Sequence, residues 1–108
     1  MNNKILSFLG ICKRAGRLTI GNDAVIKCIE TRQSKLIIVA NDISQKTEKG
    51  IISVCEMYKI NILRLQSSKD DLSMALGKYS AVISVNDEGF AKKLSKMIAE
   101  TNKEENSI

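Results

Sequence analysis

The stretch 16–27, GRLTIGNDAVIK, has the residue types and spacing of an anion-binding site. Gly16 and Gly21 bracket a short run rich in β-branched residues, Leu18 to Ile20, and a polar turn after Gly21 opens an amphipathic helix. The first N–H groups of such a helix have no intrahelical partners, and the helix dipole adds a partial positive charge at the same end. Because anions are attracted to such helix ends, the sequence predicts that an anion binds at this turn.

Basic residues surround this turn in the sequence and indicate which kind of anion binds. Between positions 13 and 35 the acids are Asp23 and Glu30 and the bases are Lys13, Arg14, Arg17, Lys27, Arg32 and Lys35. The formal net charge is +5, and because the segment 100–108 contributes −2, residues 1–99 carry +7. This balance favours a polyanionic partner, usually nucleic acid. The alternative is a small basic protein that is merely soluble.

Residue types needed for catalysis are scarce. The chain has no histidine, no phosphate-binding Gly-Lys-Ser/Thr loop and no Gly-x-Ser-x-Gly motif. Two adjacent carboxylate pairs, Asp70-Asp71 and Asp87-Glu88, lie at predicted helix starts, where helix capping explains them better than acid–base chemistry. The sequence therefore predicts a protein that is not an enzyme and that uses no metal and no cofactor.

The three cysteines, Cys12, Cys28 and Cys55, are far apart, and none belongs to a Cys-x-x-Cys pair. A disulfide framework or a zinc site is therefore not expected. Each cysteine lies on the apolar side of a helical pattern, which predicts small, buried side chains. Because the sequence shows no signal peptide and no apolar run of about 20 residues, we expect a cytoplasmic protein without a membrane partner.

Apolar periodicity and capping signals predict alternating helices and strands along the chain. The predicted helices run from Asn2 or Asn3 to Ala15-Gly16, from Asn22 to Arg32, from Ser44 to Tyr58, from Ser68 to Gly77 and from Asp87 onward. The predicted strands are 18–20, 36–40, 62–65 and 81–85. This order is typical of an α/β fold, here a three-layer α-β-α sandwich with a four-stranded mixed central sheet and about five helices. Residues 102–108 are expected to form a polar tail that frays.

Three predicted loops at one end of this sandwich collect polar side chains: Gly21-Asn22-Asp23, Asn41-Asp42-Ile43 and Gly77-Lys78-Tyr79-Ser80. Asparagine side chains both donate and accept hydrogen bonds, as the reading of base edges requires. Lys27 lies one turn into the second helix, where it is placed to reach a phosphate, and Tyr79 offers a ring for stacking. Structural alternatives are an N-cap at Asn22, a surface ion pair between Asp23 and Lys27, and a core position for Tyr79.

These residues resemble the family of kink-turn RNA-binding ribosomal proteins, which includes the archaeal proteins seven-Ae and thirty-e, and most closely its bacterial YlxQ-type members. The resemblance covers about residues 5–94. It is carried by five motifs in the family's order and spacing: Lys13-Arg14-Ala15-Gly16-Arg17-Leu18, Gly21 with Lys27, Lys35-Leu36-Ile37-Ile38-Val39-Ala40-Asn41-Asp42, Leu76-Gly77-Lys78-Tyr79 and Asn86-Asp87-Glu88-Gly89-Phe90-Ala91.

The resemblance implies the α-β-α sandwich and RNA binding without catalysis. Proteins of that family bind the kink-turn, a sharply bent internal loop in which tandem sheared G·A pairs open the major groove. The first turn of their second helix reads guanine edges, and a loop before the last strand covers a flipped-out nucleotide. On this chain Gly21 would allow close backbone approach, Lys27 would match the lysine of the family's Asn-Glu-x-x-Lys motif, and 77–81 would form the covering loop.

Two positions depart from that motif, because Asp23 and Ala24 stand where the family has Asn-Glu. Asp23 accepts a hydrogen bond from an amino group but cannot donate one, and phosphate repels it. Ala24 lacks the carboxylate that contacts a guanine, and one good base contact is worth about 1–3 kcal/mol of discrimination. The expected consequence is weaker kink-turn binding than in the archaeal members, or preference for an RNA of a different shape.

The sequence thus predicts that a single domain, residues 1–101, binds a structured RNA that is kink-turn-like or ribosomal. The predicted RNA-binding residues are Arg14, Arg17, Gly21, Asn22, Asp23, Lys27, Asn41, Asp42, Gly77, Lys78, Tyr79 and Ser80. An alternative on the same fold is a protein–protein adaptor that docks to ribosomal, translation or transcription proteins. A third is a stand-alone relative of the small substrate-binding domain found beside RNA methyltransferases.

Overall fold

A computed structural model of the chain describes residues 4–106, and for 102–106 it describes the backbone alone. The helices are α1 (Lys4–Arg14), α2 (Asn22–Glu30), α3 (Gln45–Tyr58), α4 (Lys69–Leu76) and α5 (Glu88–Asn106). The strands are β1 (Leu18–Ile20), β2 (Leu36–Val39), β3 (Ile62–Arg64) and β4 (Val82–Val85). The predicted alternation of helices and strands is confirmed. None of the helices within these bounds has the length and apolar composition needed to cross a membrane.

The four strands form one mixed sheet in the order β1-β4-β2-β3. Strand β4 pairs antiparallel with both β1 and β2, whereas β2 and β3 are parallel. The two central strands, β2 and β4, are buried along their whole length, and they are apolar except for Ser84 in β4, whose hydroxyl is hydrogen-bonded. The predicted mixed, four-stranded sheet is therefore confirmed.

Alternate residues of β2 face two separate hydrophobic cores. Ile38 packs with buried residues of α1, α4 and α5, whereas Ile37 and Val39 pack with those of α2 and α3. Because successive side chains of a strand point to opposite faces of the sheet, one apolar strand serves both cores. The helices thus form two outer layers, and the predicted three-layer sandwich is confirmed.

Capping side chains hold the helix starts that the sequence predicts. Ser44 accepts from the Thr47 N–H at 3.2 Å, and the Asp87 carboxylate accepts from the Phe90 N–H at 2.8 Å. Ser68 and the side chain of Asp71 bond reciprocally to each other's main-chain N–H groups, which completes a capping box. These bonds satisfy N–H groups that have no partner within the helix.

Several predicted boundaries shift by one or two residues. Strand β2 ends at Val39, β3 ends at Arg64 and β4 begins at Val82, because the flanking residues leave the regular strand pairing. Helix α2 ends at Glu30 rather than Arg32, which adopts a left-handed φ of 64°. The predicted caps Asn2 and Asn3 lie outside the described residues.

The backbone of α5 remains helical through Asn106, whereas the sequence predicted a frayed tail from Asn102. Lysine and glutamate have high helix propensity, and the segment 103–105 is Lys-Glu-Glu. A polar sequence therefore continues the helix here without an apolar face to bury.

Candidate nucleic-acid interface

The strand register brings four loops to one end of the sheet. Strands β1, β2 and β3 end there and β4 begins there, because Ile20 pairs with Ile83 and Val39 pairs with Val82. We call the residues 21–23, 40–43, 66–68 and 77–81 the loop rim. It contains all three loops that the sequence placed at one end, together with the β3–α4 connection.

Main-chain hydrogen bonds tie the loops of the rim to one another. The Gly21 N–H donates to the Val82 carbonyl at 3.1 Å, and the Ala40 N–H donates to the Ala81 carbonyl at 2.9 Å. The Asn41 N–H donates to the Ser67 carbonyl at 2.9 Å. The loops of the rim are therefore hydrogen-bonded to one another at this end of the sheet.

Gly21 leaves the first N–H groups of α2 available for an anion. It is the N-cap of the helix, with φ 114° and ψ 142°, and no side chain caps it. The first intrahelical bond runs from the Val25 N–H to the Gly21 carbonyl at 2.9 Å. The N–H groups of residues 22–24 precede that bond and point out of the helix end. Asn22 is the first helical residue, so its alternative as an N-cap is wrong.

Lys27 is exposed one turn further along α2. Within the residues that the structure describes, neither Asp23 nor Lys27 forms an ion pair, so the alternative of a surface pair between them is not realised. Asn22, Asp23 and Lys27 therefore present uncompensated polar groups beside the open helix end.

Asn41 and Asp42 hold the β3–α4 connection. The Asn41 amide donates to the Gln66 carbonyl at 2.7 Å, and its main-chain carbonyl accepts from the Arg64 guanidinium at 2.8 Å. The Asp42 carboxylate accepts from the Lys69 N–H at 2.9 Å, at the start of α4. These bonds give both residues a structural role at the rim, and their contact with RNA stays a prediction.

The loop 77–81 presents an exposed ring. Gly77 has a left-handed φ of 73° and ends α4, as predicted, and the chain then turns back toward β4. Tyr79 is 60% exposed, with the Lys69 ammonium 5.8 Å from its ring centroid, so its alternative as a core residue is wrong. The Ser80 hydroxyl accepts from the Val82 N–H at 3.1 Å, which shapes the return into the strand.

Lys13 of α1 contacts the end of α4 just before this loop, a contact that its position in the sequence does not indicate. Its ammonium donates to the Leu76 carbonyl, the last of α4, and a cation is favoured at the negative end of a helix. The contact joins residues 63 positions apart, so no local pattern in the sequence predicts it.

Arg14 and Arg17 do not lie on the loop rim. Arg17 precedes β1, and its carbonyl accepts from the Asn86 N–H at 2.8 Å beyond the end of β4. Arg14 lines a groove between α1 and α4, beside Asp71 and Met74. Both arginines are close to Gly21 in the sequence. Strand β1 lies between Arg17 and Gly21, however, so these two residues lie at opposite ends of that strand.

Arg32 and Lys35 also lie at the opposite end of the sheet. The Arg32 guanidinium is 5.3 Å from the Tyr58 ring centroid, at the ends of α2 and α3. The Lys35 N–H donates to the Val85 carbonyl at 2.8 Å, just before β2 begins. Of the bases between positions 13 and 35, Lys27 is the one whose side chain lies exposed on α2 close to the rim.

A partly buried chain of hydrogen-bonded polar side chains joins β1, the end of β4 and α2. The Ser34 and Ser84 hydroxyls lie 2.8 Å apart, and Ser84 donates to the Asn86 amide oxygen at 2.7 Å. The Asn86 amide nitrogen donates to the Thr19 hydroxyl at 2.9 Å, and Thr19 lies 3.2 Å from the Cys28 sulfur. The orientation of α2, and hence of Lys27, depends in part on these bonds.

The three cysteines are free and buried, as the sequence predicted. Burial raises the pKa of the Cys12 thiol, and it raises the pKa of the Cys55 thiol to about 11. Both thiols therefore stay protonated near neutral pH, and protonated, buried thiols are poor nucleophiles.

This sandwich, with main-chain N–H groups, amides and a lysine on one rim, has the properties of a small nucleic-acid-binding domain. Residues 3–95 match the model of the ribosomal protein L7Ae/L30e/S12e/Gadd45 family, and the chain belongs to that family. It is 34% identical to the RNA-binding protein YlxQ of Bacillus subtilis (strain 168) over 91 residues, which cover 83% of this chain and 90% of the relative. It is 32% identical to YlxQ of Enterococcus faecium, with coverage of 88% and 91%.

Solved structures share the fold. A Bacillus halodurans protein of unknown function superimposes with a TM-score of 0.84 at 33% identity and covers 91% of this chain and 99% of that one. The Giardia lamblia 15.5kD RNA-binding protein has a TM-score of 0.72 at 16% identity, with coverage of 93% and 92%. The second likeness is evidence for the fold alone.

Proposed function

We propose that this protein binds a structured, kink-turn-like RNA, such as a ribosomal RNA element, through its loop rim, and that it acts in the cytoplasm without catalysing a reaction. The observation that carries the proposal is the joining of the Gly21 turn to the loop 77–81 through the bond from Gly21 to Val82. Val82 follows this loop directly, so the open start of α2 and the loop that carries Tyr79 lie at the same end of the sheet.

The parts of this surface match the chemical groups of RNA. The free N–H groups of residues 22–24 suit a phosphate or a base carbonyl, and the Lys27 ammonium suits a phosphate or the N7 and O6 atoms of guanine. Tyr79 suits an unstacked base, since single-stranded bases stack on aromatic rings. Phosphate contacts would supply most of the affinity, and base contacts the selectivity.

The relatives support RNA as the partner. The curated proteins from Bacillus subtilis and Enterococcus faecium are named as RNA-binding proteins, and each aligns with more than four-fifths of this chain. Another relative is the large ribosomal subunit protein eL30 of wheat, 31% identical over 91 residues. The names of both kinds of relative point to RNA or the ribosome, which supports an RNA partner for this chain.

The test is a titration of the purified protein with a kink-turn RNA and with the same RNA after both sheared G·A pairs are changed to Watson–Crick pairs. Salt is held near physiological strength, because phosphate contacts make affinity salt-dependent. We expect the intact kink-turn to bind at least about tenfold tighter, a difference of about 1.4 kcal/mol. Equal and weak binding of both RNAs would mean that the protein has only generic affinity for polyanions.

A further inference from the structure

A second surface lies between α1 and α5, away from the loop rim. It is a groove with one wall formed by a face of α1 and the other formed by two residues of α5, Lys93 and Met97, which lie one helical turn apart. We call it the α1–α5 groove, and its lining residues are Lys4, Ser7, Phe8, Ile11, Lys93 and Met97. None of them belongs to the loop rim.

The floor of the groove is apolar and open to solvent. Ile11 is 45% exposed, although it lies in the middle of a helix that otherwise buries its large apolar side chains wholly or partly. Met97 is half-buried beside it. Phe8, which is also partly buried, lines the same groove, so three apolar side chains lie next to one another at this surface.

The flanks of the groove are basic. Helix α1 contains no acid, and α5 carries Lys92, Lys93 and Lys96 before its next acid after Glu88, which is Glu100. All three lysines are exposed. The partner that complements these flanks is therefore acidic.

The Phe8 ring distinguishes a protein partner from RNA. The Phe8 and Phe90 rings form a T-shaped pair with centroids 5.5 Å apart. The Lys93 ammonium lies over the Phe8 ring, 5.0 Å from its centroid. One face of the ring is therefore occupied by a cation, where a base would have to stack in single-stranded RNA binding. Ile11 and Met97 offer apolar contact instead, and methionine adapts to varied apolar partners.

We propose that the α1–α5 groove binds an acidic amphipathic helix of a partner protein. Apolar side chains of that helix would cover Ile11 and Met97, and its acids would face Lys93 and Lys96. Amphipathic helices bind apolar grooves in this way through residues spaced three and four apart. Because the groove and the loop rim share no residue, the protein would hold an RNA and a protein partner together.

The probe is a synthetic helix of about 18 residues with leucines on one face and glutamates elsewhere, compared with the same peptide in which lysines replace the glutamates. We expect the affinity of the protein for the acidic peptide to be at least about tenfold higher than for the basic one. When the acidic peptide is added, the chemical-shift changes of the protein's amides should concentrate on α1 and α5. Lys93→Glu and Ile11→Ser should each weaken binding by about tenfold.

Two control variants make comparable substitutions, a charge reversal and a replacement of an exposed apolar residue by serine, outside the groove. Lys35→Glu changes an exposed lysine at the far end of the sheet, and Met57→Ser changes a methionine that is 75% exposed on α3. Both should leave peptide binding unchanged. Equal effects of groove and control variants would show attraction to net charge and overturn the proposal. Displacement of the peptide from the groove by kink-turn RNA would identify the groove as an RNA surface and also overturn it.

Discussion

The Asn86 amide nitrogen donates to the Thr19 hydroxyl at 2.9 Å and so joins the residue after β4 to the middle of β1. Asn86 also accepts from Ser84, whose side chain is fully buried. Thr19 in turn lies beside Cys28 on α2. The two ends of this contact are 67 positions apart, and it fixes the strand that leads directly into the Gly21 turn.

Asn86→Ala should destabilise the fold by about 1–3 kcal/mol, because the Thr19 hydroxyl loses its donor and the buried Ser84 hydroxyl keeps only Ser34 as a side-chain partner. Urea unfolding measures the change. Asn61→Ala, at an exposed position before β3, is the matched control and should change the free energy of unfolding by no more than about 0.5 kcal/mol. Equal effects of the two variants would mean that the polar chain contributes nothing specific.

Gly77→Ala and Gly50→Ala should change stability in opposite directions. Gly77 has a left-handed φ of 73°, so alanine there should cost about 1 kcal/mol. Gly50 lies within α3, and an added Cβ meets no atom within 4 Å, so alanine there should gain about 0.5–1 kcal/mol. Thermal and urea unfolding measure both. A stabilised Gly77→Ala variant would contradict the left-handed end of α4.

The buried Cys55 thiol should make the protein less stable at alkaline pH. Its pKa rises from 9.0 to about 11 on folding, so below pH 9 the thiol is protonated in both states. Above pH 9 the unfolded chain releases this proton first, and the free energy of unfolding should fall by roughly 2 kcal/mol as the pH passes the folded pKa. Cys55→Ala should lose less stability between about pH 8 and pH 10.5 than the unmodified protein. Parallel pH profiles would contradict this.

Lys27→Ala should weaken kink-turn binding by about tenfold or more and reduce the slope of log affinity against log salt by about 1, since one phosphate or base contact is lost. Lys35→Ala removes the same charge at the opposite end of the sheet and should change binding much less. Fluorescence titration at several salt concentrations measures both. If Lys27→Ala binds like the unmodified protein, the RNA site is wrongly placed at the start of α2.

The double variant Asp23→Asn/Ala24→Glu restores the residues that the family motif has at these positions. Its affinity for the kink-turn should be at least about tenfold higher than that of the unmodified protein, because each regained base contact is worth about 1–3 kcal/mol. The same variant should gain nothing on the RNA whose G·A pairs are replaced by Watson–Crick pairs. A gain on both RNAs would mean that the change acts through general affinity rather than through reading of the G·A pairs.

Much of the candidate site was predictable because its signals are local. Gly21, Lys27 and Gly77 stand at fixed distances from helix ends, and a helix end is set by the few residues around it. The roles of Asn41 and Asp42 were less accessible, because their hydrogen-bond partners lie about 25 residues further along the chain. Sequence spacing indicated polar loop residues there but not that Gln66 and Lys69 would engage them.

The sequence by itself determined the order of helices and strands, the capped helix starts at Ser44, Ser68 and Asp87, and the two-sided burial of β2, because caps and apolar periodicity act within a few residues. Only the tertiary structure decided which charged residues share a surface. Arg17 lies four positions before Gly21 but at the other end of β1, whereas Lys13 meets Leu76 across 63 positions. The antiparallel pairing of β1 with β4 and the packing of α1 on α4 set these distances, and both depend on contacts between residues far apart in the chain.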